Sequence, residues 1–317
     1  MRVPASLRGK VMKTNGTCSN VRLGSVCPSK GNICAIVITY FPDQGLCDRL
    51  DQTKAQVAHA VIVDNASDEE TFKRVQAGLC KPGIDLIRNP VNFGIAAALN
   101  QGMKWARTKG YQWVLLLDQD TVPAQDMVAT LIRAFNEFPD KSQLAIIGSN
   151  RVLHPVTKAK RSQNGWWRVT ETVITSGSLL NVEAAQRIGP FREEFFIDCV
   201  DFEFCLRARS MGFKIIEILV PIMQHFIGNP KTVRLLWSKI RAYNHRPWRS
   251  YYMVRNFMVL IREYVLKDPW WIFRMSYAMT RIMAVTLLVE GSRISKFRYM
   301  LLGFYDGLLG RFTRRVI

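Results

Sequence analysis

The sequence predicts an α/β fold with a mostly parallel, Rossmann-like sheet flanked by helices, followed by a C-terminal helical subdomain. Three observations support this prediction. From residue 33 onward, short apolar runs alternate with helical stretches of about ten to fifteen residues, a pattern typical of βαβ units. Polar clusters follow the apolar runs at the points where strands would end. After residue 230, aromatic and aliphatic residues are interleaved with Arg and Lys at helical spacing.

The predicted elements follow one another in a regular order. Four apolar runs predict buried strands at residues 33–39, 60–63, 84–87 and 114–117. Helices are expected near residues 45–58, from residue 68 onward, and over residues 95–109. Acidic residues at 68–70 support the second of these helices, because the helix dipole favours negative charge in the first turn. Later apolar pairs at 146–147 and 173–174 predict two shorter strands.

Composition divides the chain into three parts. Residues 1–31 contain no continuous apolar segment, so they do not form a secretory signal and are expected to be a mobile leader. Residues 32–230 would form the catalytic domain and residues 231–317 a basic, helical, membrane-associated subdomain. No uninterrupted apolar run reaches about 18 residues, which argues against a spanning helix. The stretch 275–289 is predicted either to lie in a membrane interface or to be a core helix of the subdomain.

Charge and cysteine content indicate the partners and the compartment. The formal net charge is +19, and residues 228–317 contain 17 Lys and Arg against 4 Asp and Glu. Such a basic segment suggests an anionic membrane surface or nucleic acid as partner. The seven cysteines include no Cys-x-x-Cys pair, so neither a zinc site nor a disulfide framework is indicated. Buried free thiols in the reducing cytoplasm are expected instead.

An apolar run at 114–117 ends in two acids, Asp118 and Asp120. Residues two apart in a strand lie on the same side, so both carboxylates would face one point where the strand leaves the sheet. Two hard carboxylates suit a divalent cation, and a cation with open positions suits a diphosphate. Turns after strands are also rich in Asp for conformational reasons, so the surrounding segments decide the interpretation.

Five motifs follow the predicted elements in a fixed order. They are Thr39-Tyr40, Val63-Asp64-Asn65-Ala66-Ser67, Asn89-Pro90-x-Asn92-x-Gly94, Leu117-Asp118-Gln119-Asp120 and Phe196-Ile197-Asp198-x-x-Asp201-x-Glu203-x-x-Leu206-Arg207. Together they resemble the motifs of family 2 glycosyltransferases, and among these the bacterial rhamnosyltransferases that use dTDP-rhamnose. The resemblance covers roughly residues 33 to 260 and is more specific than any single motif. It implies a GT-A fold and a nucleotide-sugar donor.

The resemblance assigns the donor site residue by residue. Asp64 would accept a hydrogen bond from the base, with Thr39, Tyr40 and Asn65 beside it, while Asn92 and Gly94 would let the backbone approach the nucleotide. Asp118 and Asp120 would hold Mg²⁺ or Mn²⁺ on the diphosphate, Asp118 would also reach the ribose, and His225 would be a third metal ligand. The alternative roles are structural: turn-forming Asp and Asn, a helix start, and a structural histidine.

The resemblance also assigns the acceptor side. Asp201 would be the general base that takes the proton of the acceptor hydroxyl, and Asp198 is its competitor. Both acids would also suit the first turn of a helix. The residues predicted to contact the acceptor are Asp198, Ser176, Gly177, Trp166 and Trp167, although buried packing is the commoner role for tryptophan. The residues predicted to contact diphosphate or lipid phosphate are Arg249 and Arg255, for which a solvated or membrane-facing role is the alternative.

These observations predict an inverting, metal-dependent glycosyltransferase bound peripherally to the cytoplasmic face of the bacterial inner membrane. It would transfer L-rhamnose from dTDP-rhamnose to a lipid-linked glycan in O-antigen or related surface-polysaccharide assembly. Alternatives are a family 2 transferase that uses a UDP-sugar, and a non-enzymatic basic protein that binds nucleic acid or membranes. No nucleic-acid partner is expected, because acids that converge at strand ends would repel phosphate in the absence of a metal. A dinucleotide-binding oxidoreductase would need Gly-x-Gly-x-x-Gly after the first strand, where Thr39-Tyr40-Phe41-Pro42 stands.

Overall fold

The structure is a computed structural model that describes residues 23–24, 26–78, 82–149, 165–224, 231–235, 238–242 and 244–316. Its strands are β1 (Ile33–Thr39), β2 (His59–Asp64), β3 (Ile84–Arg88), β4 (Trp113–Asp118), β5 (Val122–Pro123), β6 (Leu144–Gly148), β7 (Trp167–Val169), β8 (Ser178–Asn181), β9 (Lys214–Ile218), β10 (Met223–Gln224), β11 (Lys231–Leu235) and β12 (Ser238–Ala242). Its helices are α1 (Leu46–Lys54), α2 (Glu69–Gly78), α3 (Ile95–Thr108), α4 (Met127–Glu137), α5 (Val182–Ile188), α6 (Val200–Ser210), α7 (Pro247–Tyr264), α8 (Pro269–Val289) and α9 (Arg293–Leu309).

The main sheet has eight strands in the order β3-β2-β1-β4-β8-β6-β9-β7. Strands β3, β2, β1 and β4 are parallel to one another, β8 runs antiparallel between β4 and β6, and β7 is an antiparallel edge strand on β9. Helices cover both faces, so the central strands are buried on both sides and consist almost entirely of apolar residues. The predicted α/β class with a mostly parallel sheet is therefore confirmed.

In the first half of the chain, the bounds predicted from the sequence agree closely with the observed elements. The predicted bounds of β1 are those observed, and the predictions for β2, β3, β4 and α3 overlap the observed elements. The predicted strand at 173–174 is wrong, because these residues lie in a loop and the strand is β8. Val173 is apolar because it packs in the core, where its side chain lies against Gly148. Strand β7 and the β11–β12 hairpin were not predicted.

The end of the predicted leader packs on the catalytic domain. Residues 1–22 lie outside the described residues. The Leu23 amide donates to the Ser142 carbonyl at 2.7 Å, and the Trp113 indole N–H donates to the Val26 carbonyl at 2.9 Å. The described part of this segment is therefore attached to the start of β4, which differs from the predicted mobile leader.

Helices α7 and α9 pack very closely together. Two glycines of α9 make this possible: a Cβ atom at Gly303 would lie 2.4 Å from the Tyr251 carbonyl oxygen, and one at Gly307 would lie 2.5 Å from the Arg255 carbonyl oxygen. On its other side, α7 contributes Phe257 and other buried residues to the core cluster that covers the sheet. The C-terminal helical subdomain is therefore continuous with the catalytic core.

Helix α8 is mostly exposed. Only 17% of its most apolar window is buried, so it is not a core helix of the subdomain. Among the described residues, α8 is long and apolar enough to cross a membrane by length and composition alone, which the search for an uninterrupted apolar run missed. Arg274 and Arg281 interrupt its apolar sequence.

Candidate active site

The predicted donor residues lie at one edge of the sheet because the strands are aligned in register. Thr39 at the end of β1 is paired with Asp64 at the end of β2, and Asp64 is paired with Arg88 at the end of β3. On the other side of β1, Ile38 is paired with Asp118. The carboxyl ends of parallel strands are where open α/β sheets bind ligands. The structure therefore brings these polar ends together, as predicted.

Asp64 is fully buried and accepts hydrogen bonds from three protein groups. Its oxygens accept from the Thr39 hydroxyl at 3.1 Å, the Ser67 amide at 3.0 Å and the Ser67 hydroxyl at 2.6 Å. The Ser67 hydroxyl in turn accepts from the Phe41 amide at 2.8 Å. Asp64 thus fixes the loops after β1 and β2 against each other. Its predicted contact with the base stays a prediction.

An asparagine network shapes the loop before α3. The Asn65 side chain donates to Asn92 at 2.9 Å and to the Gly94 carbonyl at 3.1 Å, and it accepts from the Asn89 side chain at 3.1 Å. Gly94 has a φ of 89°, and a Cβ atom there would lie 2.6 Å from the Phe196 carbonyl oxygen. Glycine is required at this position for the approach of Phe196, and the predicted approach of a nucleotide to this backbone stays a prediction.

The acid pair is braced by the residue between its members. Asp118 and Asp120 are both partly exposed where the chain leaves β4. The Gln119 side chain accepts from the Tyr40 amide at 2.7 Å and donates to the Tyr40 carbonyl at 3.2 Å, while the Gln119 carbonyl accepts from Arg49 at 2.7 Å. Gln119 therefore joins the ends of β4 and β1. Sequence reasoning missed this role, although alternation predicts that the middle residue points away from the acids.

The predicted acceptor loop supports the acid pair from the interior. Ser176 is buried, and its hydroxyl lies 2.6 Å from the Thr121 hydroxyl and accepts from the Asp118 amide at 3.3 Å. Gly177 has a φ of 79°, and its amide donates to the Leu116 carbonyl at 2.7 Å. The structure therefore places Ser176 and Gly177 under the end of β4, and their contacts are structural where an acceptor contact was predicted.

Only part of the predicted metal site lies among the described residues. Among the described residues there is no group of three or more His, Cys, Asp and Glu side chains that could hold a metal ion. His225, the predicted third ligand, lies outside the described residues. Asp118 and Asp120 supply hard carboxylate oxygens at the sheet edge, which is the donor type that Mg²⁺ and Mn²⁺ prefer.

The loop that precedes α6 has an unusual backbone. Phe196, Asp198 and Cys199 have positive φ angles of 61°, 64° and 60°, a conformation that costs energy for residues other than glycine. Asp201 lies in the first turn of α6 and is partly exposed. Burial, together with the charges of Asp198 and Asp201, raises the pKa of the Cys199 thiol well above its usual value, so this thiol stays protonated. We refer to residues 195–201 as the catalytic loop.

Arg249 of α7 links the catalytic loop to the acid pair. Its NH2 group lies 2.7 Å from Asp198 Oδ1 and its Nε lies 2.9 Å from Asp198 Oδ2. Burial alone would lower the pKa of Arg249, but the negative charges of Asp198, Asp118 and Asp201 raise it above its ordinary value. Three predicted site carboxylates, two from the catalytic loop and one from the end of β4, thus act on one arginine, which itself comes from the C-terminal subdomain.

His245 lies behind this arginine. Its Nδ1 is 3.4 Å from Arg249 NH1. Burial and the positive charge of Arg249 lower the pKa of His245 to about 4, so the ring is neutral at physiological pH.

Arg255 was predicted to contact phosphate, and the structure corrects this. Its side chain is 1% exposed, and it donates to the Glu194 carbonyl at 2.5 Å and to the Asn256 side chain. The guanidinium also lies over the rings of Tyr251, Tyr252 and Phe312. Burial lowers its pKa. Arg255, which lies on α7, is therefore enclosed by protein groups and has a structural role.

Trp166 and Trp167 pack against α4. Both indole N–H groups donate to the Glu137 carboxylate, at 2.8 Å and 3.4 Å. Arg133 lies over the Trp166 ring, and the Trp167 ring packs edge-on against Phe138. These contacts are those of packing at the sheet edge, and they do not support the predicted stacking on an acceptor sugar.

Comparisons with known proteins agree with this fold. The family described as "Glycosyl transferase family 2" matches residues 34–190. The chain is 29% identical over 301 residues to dTDP-rhamnosyl transferase RfbF of Shigella flexneri, and the match covers 88% of this chain and 96% of that protein.

Two of the solved structures that share the fold are described by their similarity to this chain. TarS 1–349 of S. aureus has a TM-score of 0.55 at 14% identity and covers 87% of this chain and 81% of that one. Mannosyltransferase PcManGT of Pyrobaculum calidifontis, in complex with GDP-Man and Mn²⁺, has a TM-score of 0.54 at 17% identity and covers 90% of both chains.

The fold is the GT-A fold, and Asp64 and Asp118 lie at the carboxyl edge of its sheet. The family match and the Shigella flexneri relative show that the chain is a glycosyltransferase. Its residues 34–190 are a glycosyl transferase family 2 domain.

Proposed function

We propose that this glycosyltransferase is an inverting, metal-dependent rhamnosyltransferase that transfers L-rhamnose from dTDP-rhamnose to a lipid-linked glycan. The name of the Shigella flexneri relative supports the donor. The observation that carries the reaction is the placement of Asp64 and Asp118 at the carboxyl edge of the sheet, together with the ion pair between Arg249 and Asp198 at 2.7 Å and 2.9 Å in the loop that carries Asp201. Acids for a metal and for a base, together with a cation for a diphosphate, are the groups that such a transfer needs.

The donor would bind across the ends of β1, β2 and β4. Thr39, Tyr40 and Asp64 would hold the base, and Asp118 and Asp120 would hold Mg²⁺ or Mn²⁺, with His225 as a candidate third ligand. Such an ion neutralises the charge that develops on the diphosphate when the sugar–phosphate bond breaks. Because Gln119 ties β4 to Tyr40, the base site and the metal site keep a fixed separation.

Asp201 would take the proton of the acceptor hydroxyl. An inverting transfer needs one carboxylate on the side of the sugar opposite the leaving diphosphate. Asp198 is the weaker candidate because it forms the two-pronged ion pair with Arg249. Arg249 would bring positive charge to the diphosphate, since Asp118 already acts on it electrostatically.

The acceptor lipid would reach the site along a membrane surface that contacts α8 and α9. Large apolar residues are exposed at helical spacing on both helices: Trp270, Phe273, Tyr277, Ile294, Phe297, Leu301, Phe304 and Leu308. Exposed arginines lie between or beside them: Arg274, Arg281, Arg293, Arg298 and Arg311. An apolar stripe flanked by basic residues fits the interface of an anionic bilayer. The proposed location is the cytoplasmic face of the bacterial inner membrane, and the proposed pathway is O-antigen or related surface-polysaccharide assembly.

The proposal is tested with a panel of donors. The purified protein is incubated with dTDP-rhamnose, UDP-sugars or GDP-sugars, each with Mg²⁺ or Mn²⁺ and lipid-linked acceptors extracted from bacterial membranes. Free nucleotide diphosphate and glycosylated lipid are measured. We expect both products with dTDP-rhamnose only. Turnover of a UDP-sugar instead would show that the proposed donor is wrong. No turnover of any nucleotide sugar would contradict the proposed activity.

A further inference from the structure

One side chain of α7 holds the backbone of the catalytic loop. Asn256 is fully buried, and its Nδ2 group donates to the carbonyls of Phe195 at 2.8 Å, Ile197 at 2.9 Å and Asp198 at 2.9 Å. Its Oδ1 accepts two hydrogen bonds from Arg255, at 2.9 Å and 2.8 Å. The amide is therefore locked in orientation by its neighbour on the same helix.

The catalytic loop depends on such outside donors. Its positive φ angles at Phe196, Asp198 and Cys199 exclude regular secondary structure, so its buried carbonyls must find hydrogen-bond partners elsewhere. Asn256 supplies three of these bonds, and the Ile95 amide supplies another to the Phe196 carbonyl at 2.7 Å. A strained backbone persists only where its surroundings over-determine it.

We infer that Asn256 is a positioning residue that sets the place of Asp201 through the backbone of the catalytic loop. This inference rests on the proposed role of Asp201 as base. Asp201 lies three residues after the last carbonyl that Asn256 holds, on the first turn of α6. Removing the amide would take this donor from the Ile197 and Asp198 carbonyls, whereas the Phe195 carbonyl would keep the Ile197 amide and Arg255 as donors. The loop could then relax toward ordinary φ angles. A shift of about 1 Å in a reacting group costs about a hundredfold in rate.

The inference predicts a split between turnover and donor binding. The residues proposed to bind the base lie on the loops after β1 and β2, which Asn256 does not contact in any hydrogen bond described here. We therefore expect Asn256→Ala to lower kcat about ten- to a hundredfold while the donor KM stays within about twofold. Asn256→Ser keeps one donor group and should give an intermediate kcat.

The control is Tyr251→Phe, on the same helix. Tyr251 is also fully buried. The change removes the hydrogen bond from its hydroxyl to Asp306 of α9 and weakens its contact with Arg255, but it leaves the ring over Arg255 and the three carbonyl contacts of Asn256 in place. This variant should keep the kcat of the wild type. An equal loss of kcat in Tyr251→Phe would mean that general loosening of α7 explains the effect, and it would overturn the inference.

A double-mutant cycle with Asp201→Asn gives the decisive readout. If Asn256 acts through Asp201, Asn256→Ala lowers the residual rate of Asp201→Asn no further. An additive loss, an unchanged kcat in Asn256→Ala, or failure of both Asn256 variants to fold while Tyr251→Phe folds would each overturn the inference. Full activity of Asp201→Asn itself would instead show that the proposed base is wrong, which separates the two failures.

Discussion

Arg249 of α7 and Asp198 of the catalytic loop form a two-pronged ion pair, with distances of 2.7 Å and 2.9 Å. Bidentate pairs of this kind fix orientation as well as charge. Because Asp198 is paired with a cation, it is less suited than Asp201 to accept a proton from the acceptor hydroxyl. It also places a positive charge from the C-terminal subdomain within electrostatic reach of Asp118.

The first prediction separates the two acids of the catalytic loop. Asp201→Asn should lower turnover at least about a hundredfold, the usual contribution of a positioned general base, while donor binding is retained. Asp198→Asn should have a smaller effect, because it weakens the pair with Arg249 but leaves the base. Initial rates and donor binding by calorimetry measure both. The reverse order of effects would assign the base to Asp198.

The second prediction concerns the metal. Asp120→Asn and treatment with EDTA should each reduce transfer at least about a hundredfold, because loss of several kcal/mol of charge stabilisation changes the rate by that factor. Asp126→Asn is the matched control, since Asp126 is an exposed residue before α4 whose side chain makes no capping hydrogen bond, so the change removes one carboxylate at little cost to the fold. Full turnover in EDTA would eliminate the metal role.

The third prediction concerns pH. The pKa of His245 falls from 6.5 to about 4 on folding, so below pH 6.5 the unfolded chain binds a proton that the folded chain does not. The free energy of unfolding should therefore decrease as pH falls from 6.5 to 4. Below pH 4, His245 should lower it no further. The effect should be on the order of 1–2 kcal/mol, because the ring is partly exposed to solvent.

His245→Gln isolates this contribution. Urea unfolding of the wild type and of the variant is measured across the same pH range. The unfolding free energy of the wild type minus that of the variant should fall as the pH decreases from 6.5 to 4. A constant difference would show that His245 titrates normally in the folded protein.

The fourth prediction concerns the contact between α7 and α9. Gly303→Ala should destabilise the protein by about 1–3 kcal/mol, because its Cβ would lie 2.4 Å from the Tyr251 carbonyl oxygen and force the helices apart. Leu301→Ala, at an exposed position of the same helix, should leave the urea midpoint nearly unchanged. Equal midpoints for both variants would mean that α9 does not pack against α7 as described.

The fifth prediction concerns the membrane. The protein should co-sediment with anionic vesicles, bind neutral vesicles poorly, and be released by rising salt, since each basic residue near an anionic leaflet contributes about 1 kcal/mol. Leu301→Ser combined with Phe304→Ser should weaken binding, while Val26→Ser, at an exposed apolar position beside the start of β4, should not. Indifference to lipid charge would defeat the membrane proposal.

Much of the sheet could be predicted because its information is local. The runs that form β1 and β4 are apolar throughout, and parallel topology then aligns Thr39, Asp64 and Asp118 at one edge without further assumptions. Four of the five motifs were found for the same reason, because each lies at the end of a strand or just after it. The fifth, at residues 196–207, instead follows a short 3-10 helix and opens α6.

The errors have a different origin. Arg255 and the two tryptophans, Trp166 and Trp167, were selected for their chemistry, but burial decides whether such groups meet a ligand or the protein, and burial depends on contacts distant in sequence. Interleaved Arg and aromatic residues in α7 suggested a basic surface, whereas Arg255 points inward onto three rings. The role of Asn256 had no local signal, because the carbonyls it holds lie about sixty residues earlier in the chain.

The dependence of the catalytic loop on α7 also orders events during synthesis. Arg249 lies 51 residues after Asp198, and Asn256 lies farther still. On the ribosome, the donor-binding strands emerge first and can fold early, but the loop that carries Asp198 and Asp201 waits for a helix not yet translated. A nascent chain could therefore hold a nucleotide sugar before it is able to use one. Under the proposed function, the site is complete only after α7 has emerged, just before the exposed apolar and basic residues of α8 and α9.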